Sequence, residues 1–123
     1  MSTFIFERLK PFDIIREELL EELRKIEFKL GSLEEVISLC TSEKDSPLTK
    51  SFLQARADLI VARAKIENAT LEKIAGQIEG LQLELKASIS TLNKELEKPE
   101  NQTALLDALY KVTGIAARIL LQV

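Results

Sequence analysis

Apolar residues recur along this chain at intervals of three and four. Phe12, Ile15, Leu19, Leu23, Ile26 and Leu30 form one such series, the stripe of an amphipathic helix. The spacing predicts a helix over 11–30. Glu17, Glu18, Glu21 and Glu22 crowd its first half and Arg24, Lys25 and Lys29 its second, an order that complements the helix dipole. Gly31 stands where a C-terminal cap is expected. Ser32, with Glu35 three positions on, is a capping box that starts a short helix over 32–40.

After the polar segment TSEKDS, Ser46-Pro47 is a strong helix start, because Ser accepts from free N–H groups and Pro at the first helical position loses no bond. The helical pattern then runs to Lys98 and stops at Pro99. Read as one helix, 47–98 extends about 75 Å. Leu71, Ile74, Ile78, Leu81 and Leu85 alternate steps of three and four, as in a coiled-coil seam, which then shifts to Ile89, Leu92 and Leu96. The short alternation in GLQLELKAS lies inside this longer series and is read as helix. Gly76 and Gly80 each cost ~1 kcal/mol against Ala, and they mark 76–80 as the place for a kink.

Asn101 is the expected N-cap of a last helix over 101–123. Its polar residues Asp107, Lys111, Arg118 and Gln122 occupy a narrow strip, with Asp107 and Lys111 a favourable i,i+4 pair. The rest, including Val112, Ile115 and Ile119, is apolar. A helix apolar over most of its circumference is expected to be surrounded on several sides.

The first ten residues read differently. MSTFIFERLKPF holds three of the six aromatic residues, and Lys10-Pro11 disfavours helix at Lys10. Residues 1–10 are therefore expected to be an arm, whose Phe4 and Phe6 share a side when extended and dock on the bundle or on a partner.

Together these elements predict an all-α fold in one domain over 1–123: an elongated, coiled-coil-like bundle with one long central helix (47–98) and shorter flanking helices. Flanking helices of about 30–35 Å cannot cover a partner of about 75 Å. Either they cover different halves of it, or two chains share their long helices. The wide apolar surface of the last helix favours the second arrangement. A homo-oligomer, with a dimer favoured, is expected. Its interface candidates are Phe4, Phe6, Leu71, Ile74, Ile78, Leu81, Leu85, Val112, Ile115 and Ile119.

Composition narrows the chemistry. The chain has 123 residues, 46% hydrophobic and 30% charged, which argues for a folded domain rather than disorder. Its net charge of −3 is spread without a basic block, so no specific nucleic-acid partner is expected. The absence of His removes the common zinc sites and the Ser–His and Cys–His nucleophiles. No Gly-rich phosphate loop or dinucleotide fingerprint occurs. Cys40, beside Val36, Ile37 and Leu39, reads as a small buried hydrophobe. The cluster Glu17, Glu18, Glu21 and Glu22 reads as a solvated face rather than a cation site. No catalytic residue, metal or cofactor is expected.

One constellation with ligand chemistry remains. Arg56 and Arg63 lie seven apart on one helix face, and Arg118 sits in a very apolar helix. Converging arginines inside a bundle bind dianions. Snorkelling or ion-paired arginines are the plainer reading.

No apolar run reaches the ~20 residues needed to cross a bilayer, and the N-terminus has no basic segment followed by a long apolar one. With one cysteine, this suits a cytoplasmic location. The sequons at Asn68 and Asn101 are treated as chance matches. The function expected is that of a non-enzymatic helical interaction protein (a scaffold, adaptor or assembly chaperone) with a protein partner. A small helical enzyme or anion binder using the three arginines is an alternative. So is a membrane-surface or nucleic-acid accessory protein using the N-terminal Phe cluster beside Arg8 and Lys10.

Overall fold

A computed structural model describes the backbone of residues 2–40, 47–97 and 101–120, and the side chains of 8–32, 50–97 and 101–120. The described residues form four helices and no strand: α1 (Ser2–Cys40), α2 (Pro47–Asn68), α3 (Leu71–Glu97) and α4 (Gln102–Ile119).

Four expected boundaries differ. The first is the long helix over 47–98, which is two helices. It breaks at Ala69-Thr70, not at Gly76 or Gly80, which both lie inside α3. The local chemistry accounts for the place. The Asn68 side chain donates to the Ala64 carbonyl at 2.8 Å. Arg16 of α1 donates to the Ala69 carbonyl at 2.9 Å. The Lys73 N–H then donates to the Thr70 carbonyl at 2.9 Å to open α3. Asn and Thr compete with helical hydrogen bonding through their own side chains. Lys65 in the last turn of α2 and Glu72 in the first turn of α3 favour an end and a start there.

The second difference is at Gly31, where α1 runs on instead of capping. No glycine among the described residues has a positive φ. The Arg56 side chain lies against Gly31, and a Cβ there would stand 2.9 Å from Arg56 Nη2. The glycine serves close approach rather than a turn. The Ser32 hydroxyl donates back to the Phe28 carbonyl at 3.4 Å rather than capping a new helix.

The third is the arm, since α1 begins at Ser2 and passes through Pro11. A proline there removes one backbone bond, but Pro11 is exposed, where a freed carbonyl can be hydrated. The last helix matches expectation at its start. Asn101 is extended, and its side chain accepts from the Ala104 N–H at 3.0 Å, a cap worth about 1 kcal/mol. It ends at Ile119 rather than 123.

Packing follows from the faces. α1 packs on α2 and α3, and α4 packs on the same two helices, so α2/α3 and α1/α4 lie across the diagonals. Arg24 pairs with Glu67 and Arg63 with Glu27, which sets α2 antiparallel to α1. Arg16 meets Ala69 before α3 begins, and Lys29 meets Asn93 near its end, so α3 runs parallel to α1. Arg118 meets Glu84, and α4 returns antiparallel to α3.

The core fills the space between them. α1 contributes Leu19, Leu20, Leu23, Ile26 and Leu30, and α2 contributes Phe52, Ala55, Leu59, Ala62 and Ile66. From α3 come Ile74, Ile78, Leu81, Leu85, Ile89 and Leu92, and from α4 Leu105, Leu106, Leu109, Val112, Ile115, Ala116 and Ile119. Each fully buried aliphatic side chain contributes about 1.5–3 kcal/mol. The 47–98 helix whose length called for a second chain is replaced by two of 22 and 27 residues, and the long element is instead α1, whose 39 residues outrun both.

Candidate functional site

The expected interface residues lie mostly in this core. Ile74, Ile78, Leu81, Leu85, Val112, Ile115 and Ile119 are buried by the chain's own helices, and Leu71 packs at the edge of the same core. The α3 seam faces α1 and α4, and the wide apolar surface of α4 is covered by α2 and α3. None of these buried side chains is offered to a second chain. Phe4 and Phe6 fall within α1, but their side chains lie outside the described residues. The Cys40 side chain lies outside them too.

The arginines are tied to carboxylates and carbonyls. Arg63 donates to both oxygens of Glu27, at 2.8 and 3.0 Å, and to Glu67 at 2.8 Å. Glu67 also accepts from Arg24. Arg56 donates to the Glu27 backbone carbonyl through Nε and Nη2, at 3.4 and 3.3 Å. Glu27 is only 8% exposed, so its charge is held by a fork-on-fork pair in a largely enclosed position. The hydrogen bond that Arg63 donates to Glu27 is the main cause that raises the Arg63 pKa; burial opposes it, and the charge of Glu27 and the hydrogen bond and charge of Glu67 add to it. The upward shift stabilises the fold below the ordinary arginine pKa while Glu27 and Glu67 carry their charges, and is lost as pH rises through the raised value.

Two of the three arginines thus meet around one acid, while Arg118 lies on another helix against Glu84 at 3.3 Å. The three do not share a site. What the cluster does chemically is fix register. A bidentate pair between α1 and α2, with Arg56 lying on Gly31 one turn away, opposes sliding of one helix along the other.

The acidic face of α1 is solvated, with Lys25 near Glu21 at 3.6 Å and Glu22 at 3.8 Å. Among the described residues, no group of three or more His, Cys, Asp or Glu is placed to hold a metal ion. No helix among them is long and apolar enough to cross a membrane.

What remains is surface. A groove of about 770 Å³ runs between α2 and α4, lined by Val61, Ala117 and Leu120 and edged by Asp58 and Lys65. A second, of about 610 Å³, runs between α1 and α3 and is edged by charges of both signs, Glu18 and Glu22 against Lys86 and Lys94. Neither encloses a converging set of polar groups of the kind that orients a small ligand. The outer face of α3 carries Gly76, Gly80, Leu83, Ala87 and Ser90, all exposed. Leu83 is 76% exposed, and a Cβ at either glycine would meet open space. Phe28 on α1 is 78% exposed.

No protein-family model, curated protein or solved structure matches this chain.

Of the outer residues of α3, the sequence pattern singled out Gly76 and Gly80, which share one face, but not Leu83, Ala87 or Ser90. Their signal was available. Gly76 and Gly80 lie on the face opposite Ile74, Ile78 and Leu81, and Leu83 is the one large apolar residue of α3 that departs from the core stripe.

Proposed function

We propose that this chain is a non-enzymatic helical interaction protein, a scaffold, adaptor or assembly chaperone, that acts through self-association and a protein partner. The observation that carries this reading is the exposure of Leu83 and Phe28, at 76% and 78%, on a bundle whose core is already complete. Large apolar side chains left outside a closed core lose stabilisation unless something covers them. The arginines offered for anion chemistry support the same reading, since each has a carboxylate or carbonyl acceptor within the fold.

The test is sedimentation equilibrium of the purified full chain, with affinity purification from the cells that produce it. The expected result is a concentration-dependent mass above the 13.8 kDa of one chain, or a stoichiometric protein partner. A chain that is monomeric at every concentration and also has no partner contradicts the reading.

A further inference from the structure

The outer face of α3 has an order of charges that fits its own reverse. Along this face run Glu72, Gly76, Glu79, Gly80, Leu83, Lys86, Ala87, Ser90 and Lys94, every one exposed. Glu72 and Glu79 stand in its first half and Lys86 and Lys94 in its second, with exposed Lys73 at the edge of the first turn and exposed Glu97 in the last turn running against that order. None of Glu72, Glu79, Lys86 and Lys94 has an ion-pair partner within the described fold. This order also complements the dipole of α3, but Glu79 and Lys86 stand seven apart and are not an i,i+4 pair within the helix.

We infer that this face docks on the same face of a second copy, with the two α3 helices antiparallel across a two-fold axis near residues 82–83. In that register Glu79 of each copy lies beside Lys86 of the other, and Glu72 lies near Lys94. Leu83 sits against Leu83 of the second copy and over its Gly80, where the missing side chain leaves room. A parallel arrangement would set Glu79 beside Glu79 and Lys86 beside Lys86, which repel. A two-fold contact is self-complementary by construction, and this charge order satisfies that condition.

The glycines fit the same account. Each weakens the helix that holds it, and neither is needed for packing within the chain, because a Cβ at Gly76 or Gly80 would touch nothing. They leave a shallow face on which a second helix can approach closely. One helix on one helix gives an interface at the small end of the specific range, so the dimer is weak, with a dissociation constant on the order of micromolar. This inference rests on the interaction reading above and names its occupant.

The test is sedimentation equilibrium of the full chain and five variants over about 1–500 µM, a span chosen to bracket a micromolar equilibrium. Leu83→Lys changes an exposed side chain, so the bundle stays folded, and association falls at least about tenfold. Glu79→Lys and Lys86→Glu each weaken association about threefold or more, and the double reversal restores it. Gly80→Gln separates the interface from the fold. At dilution it raises the melting temperature by a few degrees, because a good helix former replaces glycine, yet it weakens the dimer.

The failures are distinct. Association that ignores Leu83, Glu79 and Lys86 overturns this face and keeps the interaction reading. A monomer that has a protein partner does the same. A monomer without a partner overturns both. A double reversal no better than the single ones overturns the antiparallel register.

Discussion

Ile78→Asp abolishes the folded state even at concentrations where the chain is a single copy. The Ile78 side chain is fully buried within the core that α1, α3 and α4 share. The substitution removes about 1.5–3 kcal/mol of apolar burial. It also places a carboxylate among aliphatic side chains with no partner, so the chain must either hold a costly buried charge or open to hydrate it. The combined loss of about 4–5 kcal/mol is comparable with the whole stability of a small domain. Far-ultraviolet circular dichroism at low micromolar concentration reads the result directly. Retention of native helicity with a lower assembly mass would instead place Ile78 between chains, as the coiled-coil pattern alone suggested.

Arg63→Met has the second largest effect, a loss of about 2–3 kcal/mol. Glu27 then keeps its charge in a nearly enclosed position without its forked donor. The figure stays below that of a fully enclosed pair because Glu67 and Arg24, at the far end of the network, are exposed. Glu27→Leu costs less, since Arg63 retains Glu67. The double variant Glu27→Leu/Arg63→Met recovers most of the loss, because replacing both partners removes the buried charge as well as its counter-ion. Urea midpoints of the four proteins provide the cycle. Additive losses would show that Arg63 and Glu27 do not depend on one another.

The helices whose apolar steps are regular were legible in the sequence. The series Leu19 to Leu30, Ile74 to Leu85 and Leu105 to Ile119 each form a buried stripe as the spacing required. What the pattern could not show was which molecule covers a stripe. The same alternation of three and four serves a seam between chains and one inside a bundle. The choice turned on the length of 47–98, and so on two residues. Asn68-Ala69-Thr70 drew attention only as a sequon, while Gly76 and Gly80 drew the suspicion of a kink. A glycine inside a helix costs little if the flanking turns are sound, whereas Asn and Thr side chains compete for backbone groups.

Gly31 and Pro11 misled because both signal helix ends by local rules: packing against Arg56 accounts for Gly31, and exposure, which lets the freed carbonyl be hydrated, accounts for Pro11. The clue at Gly31 lay on another helix, in Arg56. Likewise Arg56 and Arg63 were legible as sharing a face, but Glu27 could be recognised as their common partner only once α1 and α2 were in register. The α2 stripe of Phe52, Ala55, Leu59, Ala62 and Ile66 has the same regular steps, hidden by two short alanines.

The claim that the α3 seam is buried by the chain's own helices is tested most directly by amide hydrogen exchange, followed residue by residue as the protein is diluted below its association range. The account predicts that amides from Ile74 to Leu92 keep protection equal to that of Leu20 to Leu30 and independent of concentration, because all of them open only when the bundle unfolds. Protection in α3 that falls away on dilution while α1 holds would contradict it.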